Sequence, residues 1–149
     1  MTTISGDGGS ALRKLAVRLE EVPKAAQAQV RRSVREAAED VRRQAAQDAS
    51  WSRRIPGSLV VRVSFAGARA GAYVAASARL APDARPYESI LGNAQFRHPL
   101  NFPNQRKGGP IWVNQPSRPF LSPALERGQD KAVDRINDAV TRGLADAGL

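Results

Sequence analysis

Cysteine is absent from all 149 residues, which removes disulfides, thiolate metal sites and cysteine nucleophiles in one step. Histidine occurs once, as His98, so an imidazole metal centre has no second imidazole to complete it. Aromatic residues make up only 5% of the chain, and alanine supplies much of the apolar count, so a thin core is expected. Lysine is scarce too, with only Lys14, Lys24, Lys107 and Lys131. No apolar run approaches the ~20 residues of a membrane span. The opening Met1-Thr2-Thr3-Ile4-Ser5-Gly6 has neither the charged nor the apolar region of a signal peptide. These absences predict a soluble chain, made in a reducing cytoplasm, with no membrane contact and no cofactor.

What is present is cationic. The 23 Lys+Arg against 14 Asp+Glu give a net charge of +9 and a sequence pI near 11.2. The excess is uneven: residues 12–54 carry a net +5, residues 55–120 a net +6, and residues 121–149 a net −1. Nucleic acid is therefore a candidate partner, because cations that neutralise phosphates release counterions. Nineteen of the cations are arginines, which equally suit bidentate ion pairs between proteins. Length and a 42% hydrophobic content fit one folded domain, read here as residues 10–147 behind a flexible tail at 1–9.

Apolar residues at Leu12, Leu15, Leu19, Val22, Ala26, Val30, Val34, Ala37, Val41 and Ala45 recur with a mean step of 3.67, the period of an amphipathic helix. Such a rod would run ~60 Å, with Pro23 expected to kink or divide it. It outgrows a domain with a radius of gyration of roughly 15 Å. Part of its stripe, with Val34 and Val41, is therefore expected to meet another subunit. After the Arg53–Gly57 break, alternation places Leu59, Val61, Val63 and Phe65 on one face of a strand. Gly67–Gly71 reads as a turn and Ala72–Ala78 as the returning strand of a hairpin. Residues 81–119 are proline-rich. Tyr87–Gly92 and Pro110–Val113 each read as an edge strand or a single helical turn, and Asn93–Gly109 between them as one long loop. Ser122 and Pro123 supply an N-cap and a first helical residue for a last helix. Its apolar stripe is Leu125, Ala132, Val133, Ile136, Val140 and Leu144, and Arg135/Asp138 and Asp138/Arg142 are spaced to pair on its solvated face. Helix, hairpin, proline-rich segment and helix make an α+β architecture with a small antiparallel sheet.

Chemistry has few places to reside. His98 reads as a loop histidine satisfied by neighbouring backbone. Asp83 and Glu88 are the only carboxylates between residues 55 and 120, with no sign of an acid/base pair. Gly6, Gly8 and Gly9 lack the preceding strand and the lysine–hydroxyl pair of a phosphate-binding loop. Lys107-Gly108-Gly109-Pro110 reads as a flexible linker. Trp51, Phe96, Phe102 and Trp112 lie near arginines, a placement that suits base stacking or the anchoring of loops. Nothing here points to an enzyme.

The segment Arg118-Pro119-Phe120-Leu121-Ser122-Pro123-Ala124-Leu125-Glu126 resembles the R-P-F-L-x-P-A-L/I motif of the tail-completion, or neck, family of long-tailed bacteriophages. That family includes proteins similar to the lambda minor tail protein Z. Tyr87-Glu88-Ser89-Ile90-Leu91-Gly92 occupies the place of its Tyr-Ala-x-x-x-Glu-x-Gly segment, with Leu91 where the family has an acid. Phe96-Arg97-His98-Pro99 and Ile111-Trp112-Val113 look like its His-Pro and Trp-Val elements, and Pro56-Gly57 stands where relatives have Thr-Gly. The resemblance spans about residues 10–147. It implies a virion structural protein: a homo-oligomeric ring, a hexamer by the six-fold symmetry of tails, between the head-closure protein and the tail terminator or tail tube, with the DNA channel through it. It implies no catalytic residue, metal or cofactor. Arg118, Pro119, Phe120, Leu121, Ser122 and Pro123 are then architectural; strand geometry points Phe120 and Leu121 to opposite sides if the extended conformation continues past Pro119, and Glu126 falls in the first helical turn. Arg97, Arg106 and Lys107 are candidates for contact with DNA or a neighbouring protein. The alternatives are a sequence-nonspecific nucleic-acid-binding protein, a tail terminator, or another minor tail protein.

Overall fold

The computed structural model describes residues 24–65, 71–88, 94–100 and 110–146. Two helices dominate it. α1 (Lys24–Asp48) and α4 (Leu121–Asp146) are 25 and 26 residues long, each a little under ~40 Å at 1.5 Å per residue. They run antiparallel, because Ala26 at the start of α1 abuts Gly143 near the end of α4, and Val41 abuts Gly128. Glycine is required at Gly143 by proximity: a Cβ there would lie 2.5 Å from the Ala26 Cβ and 2.7 Å from its Cα. The helical period read from the sequence is borne out along α1, where Ala26, Val30, Val34, Ala37, Val41 and Ala45 are all buried.

Burial of that stripe corrects one expectation. Val34 packs with Val30, Ile136 and Ala139, and Val41 belongs to a second cluster with Ala45, Phe120 and Ala124. Both valines are covered by the chain's own last helix, so they are core residues of one chain and are not left for a second subunit. The described helix is matched in length by its intramolecular partner. Pro23 and the residues before it lie outside the described residues, as do the expected kink and tail.

A single helical turn, α2 (Ile55–Ser58), links α1 to the first strand. The Ser52 hydroxyl accepts from the Arg54 and Ile55 amides at 3.3 and 3.2 Å, and the buried Ser58 hydroxyl donates to the Ile55 carbonyl at 2.8 Å. β1 (Leu59–Ser64) and β2 (Gly71–Ala76) form the expected antiparallel hairpin, with Leu59 opposite Ala76 and Ser64 opposite Gly71. Gly71 starts β2 at φ 139°, where side chains are disfavoured. The hairpin lies on α1: Leu59, Val74 and Ala76 join the cluster around Phe120, and Val63, Phe65 and Ala72 join the one around Val30. Val60 and Arg62 face outward, as the alternation requires.

The proline-rich segment differs from its sequence reading. Tyr87 and Glu88 close a one-turn helix, α3 (Ala84–Glu88), so the start of the Tyr87–Gly92 segment is helical, while its residues 89–92 lie outside the described residues. Residues 93–109 are not one loop, because Gln95–Pro99 is a strand, β3, antiparallel to β4 (Trp112–Pro116). Phe96 and His98 alternate with Gln95 and Arg97, a period-2 signal that the prolines obscured. Pro99 and Pro116 are tolerated because each ends a strand of a two-stranded ribbon. His98 is therefore a strand residue, and its Nδ1 lies 3.2 Å from the Pro99 carbonyl.

Candidate functional site

The strongest sequence motif forms a corner between the core and the last helix. Phe120 is completely buried among Val41, Ala45, Ile55, Leu59 and Ala124. Leu121 is half-buried against the same cluster, so it does not point to the opposite side. The physical reason is that the extended conformation ends at Phe120 and α4 begins at Leu121.

Ser122 is not the N-cap of that helix. It is the second helical residue, Pro123 is the third, and Glu126 falls beyond the first turn. The cap comes from Glu88, 32 residues earlier. Its carboxylate accepts from the Phe120 and Leu121 amides, both at 2.9 Å, from the Ser122 amide at 2.7 Å, and from the Ser122 hydroxyl at 2.6 Å. A helix leaves its first four N–H groups without intrahelical partners. Glu88 takes three of them, and Pro123 has no N–H to satisfy. A buried carboxylate without a salt bridge is tolerable here because the helix dipole adds to these bonds.

The same junction is tied a second time through Tyr87. Its carbonyl accepts from the Arg118 amide at 2.9 Å, and its hydroxyl accepts from Gln115 Nε2 at 2.6 Å. Its ring sits between Trp51 at 4.5 Å and Phe96 at 5.0 Å, both edge-on, and Phe96 continues to His98 at 5.7 Å. Aromatic pairs at these separations add to simple area burial. The Arg118 guanidinium lies 5.5 Å from the Trp51 ring. Residues 87–88 and 118–122, drawn from two of the motif segments read in the sequence, are thus one physical unit. Sequence reasoning missed Glu88 as its centre, since a cap supplied from another element has no local spacing to reveal it.

Arg97 is exposed on the other face of the ribbon, with its guanidinium 5.2 Å from the Trp112 ring. Pro119 is exposed at the corner. Arg106 and Lys107 lie outside the described residues. The expected pairing of Arg135 with Asp138 is replaced by one across the helices: Arg135 reaches Asp40 at 2.8 Å, and Arg127 reaches Asp48. Asp40 also pairs with Arg43. Burial alone would raise the Asp40 carboxyl, but the hydrogen bonds and charges of Arg43 and Arg135 hold it below its ordinary value.

A cleft of about 250 Å³ opens between α1 and α4 where Ala37, Ala124 and Gly128 provide little bulk. Its rim is the Asp40–Arg135 pair, whose groups are already engaged. Among the described residues, no group of three or more His, Asp or Glu side chains is placed to hold a metal ion, and no helix is long and apolar enough to cross a membrane. Comparison of the whole chain with family models, curated proteins and solved structures gives no match. The site is defined by its own geometry: an interlocked corner and an exposed arginine–aromatic ribbon beside it.

Proposed function

We propose that the chain is a virion structural protein of the neck of a long-tailed phage. In this reading it forms a homo-oligomeric ring, six-fold like the tail, that joins the head-closure protein to the tail terminator or tube around the DNA channel. The reading rests on the family resemblance, and one observation carries it further. Glu88 and Tyr87 of the first motif segment bind Arg118, Phe120, Leu121 and Ser122 of the second. Two short motifs that interlock this way have a shared architectural purpose. A cryo-electron microscopy map of the particle that encodes the chain tests the proposal. A ring of this fold between head and tail is expected, and absence of the chain from purified particles would overturn it.

A second reading, sequence-nonspecific nucleic-acid binding, is favoured by the charge distribution. Arg32, Arg35, Arg53, Arg54, Arg62 and Arg85 are exposed, and none is in an ion pair among the described residues. The two readings are compatible if such arginines face the channel.

A further inference from the structure

The outer face of the β3–β4 ribbon has no partner within the described chain. Strand register puts Arg97 and Asn114, and Pro99 and Trp112, on the face opposite Phe96 and His98. Trp112 is 49% exposed, and the ribbon continues into Leu100 and Ile111, which are 65% and 53% exposed. Those two residues are joined by a backbone hydrogen bond of 2.8 Å from the Leu100 amide to the Ile111 carbonyl. Three of the seven large apolar side chains exposed among the described residues therefore share one tip. No carboxylate occurs in residues 94–100 or 110–118, so the Arg97 charge is uncompensated there. Aromatic residues with arginine at the centre of an apolar patch are the composition of interface cores.

A complementary surface lies on α4. Glu126, Asp130, Asp134 and Asp138 recur every four residues and are all exposed. Three cations of the helix are engaged elsewhere than with these carboxylates, Arg127 with Asp48, Arg135 with Asp40, and the Arg142 guanidinium with the Asp138 carbonyl, while Lys131 is exposed beside the row. None of the four carboxylates is in an ion pair among the described residues, and like charges four apart repel. Half-buried Val133 lies on the same face of the helix and in neither core cluster. One surface is apolar and cationic, the other anionic around an apolar residue. They sit on different elements, so when each copy's ribbon meets the helix of the next copy the contact is head to tail, the arrangement that generates closed rings.

We propose that the tip of the β3–β4 ribbon of one copy docks end-on against the outer face of α4 of the next, with Trp112 from one side of the ribbon and Leu100 and Ile111 from its end against Val133 and Arg97 facing the carboxylate row. This rests on the ring reading and names the surfaces that make the ring. Two full-length variants test it by size-exclusion chromatography with light scattering: Arg97→Glu/Trp112→Glu on the ribbon, and Asp130→Lys/Asp134→Lys on the row. Thermal melts that match wild type show that each variant folds. Wild type is expected to be oligomeric and each variant monomeric. An equimolar mixture should associate again, because one partner keeps the row and the other keeps the ribbon. Combining Arg97→Glu with Asp130→Lys/Asp134→Lys in one chain should restore assembly. Raising salt to about 1 M, where screening falls to ~3 Å, should weaken the wild-type oligomer. Variants as large as wild type would overturn the docking and leave the ring reading standing, whereas a monomeric wild type would overturn both. Loss of duplex DNA binding by the ribbon variant with its assembly unchanged would overturn the docking and make the ribbon a nucleic-acid surface.

Discussion

Glu88 and Phe120 show how much of the last helix depends on single side chains. Phe120 fills the centre of the larger core cluster, so Phe120→Ala should cost about 3–5 kcal/mol. That is a large share of the roughly 5–15 kcal/mol that holds a typical domain together. Glu88→Gln keeps the shape but places an amide N–H₂ where an oxygen accepted. One or two of the Phe120, Leu121 and Ser122 amides then face a donor. Each orphaned buried donor costs about 1–3 kcal/mol. Ser122→Ala removes only a hydroxyl bond to Glu88, so its cost should be about 1 kcal/mol. Urea titrations of the three variants check the order, Phe120→Ala most and Ser122→Ala least destabilised. Equal effects from Glu88→Gln and Ser122→Ala would mean that the carboxylate is not the cap. Phe120 was legible in the sequence, because a phenylalanine beside a helix start in an aromatic-poor chain has few other places to go. Glu88 was not, since Ser122 offered a local cap with better spacing and lost to a carboxylate arriving from another element.

At the scale of elements, the α1–α4 pair owes its close approach to small residues. Gly143 has backbone of Ala26 where a Cβ would go, whereas Gly128 has only a methyl of Val41, 2.8 Å away. Alanine gains ~1 kcal/mol over glycine in a helix interior. Backbone that must move costs more, up to about 3 kcal/mol for overpacking. Gly143→Ala should therefore lose a net ~2 kcal/mol, while Gly128→Ala should lie near zero, a contrast that paired thermal melts would display. The same helix pair carries a pH dependence through Asp40, whose folded-state pKa is depressed. A depressed carboxylate contributes stability that is complete above its unfolded value of ~3.9 and is lost as pH falls through the folded value. Wild type should lose more melting temperature than Asp40→Asn between about pH 5 and pH 2. Equal losses would show that Arg43 and Arg135 do not favour the ionised form. The periods of both helices and of the β1–β2 hairpin could be read directly, as could the buried stripe of α1. The β3–β4 ribbon could not, because proline and arginine interrupt its alternation. Nor could the Arg135–Asp40 pairing, since intrahelical spacing offered Asp138 first.

The whole molecule divides its charge by surface. α4 turns two arginines across to α1 and leaves its carboxylates outside, while Arg32 and Arg35 of α1, Arg53 and Arg54 just before α2, and Arg62 of the hairpin have no acidic partner among the described residues. A chain of net charge +9 with such cations attracts any polyanion. Phosphate contacts of this kind carry no sequence information, because every nucleotide presents the same group. Binding to duplex DNA should therefore be weak and indifferent to sequence. Its affinity should fall linearly on a log–log plot against salt, with a slope of about −0.9 per phosphate neutralised. Fluorescence anisotropy with two unrelated duplexes of equal length, across a salt series, gives both quantities. Arg32→Glu/Arg35→Glu should flatten the slope without changing the oligomeric state, because both side chains project from the solvent side of α1. A marked preference for one duplex would favour a regulator and count against the neck reading. A slope near zero would mean that the arginines serve protein contacts alone. Which arginines are free is not legible in the residue pattern, since pairing depends on which helix faces lie against each other. Periodicity within one element does not report that.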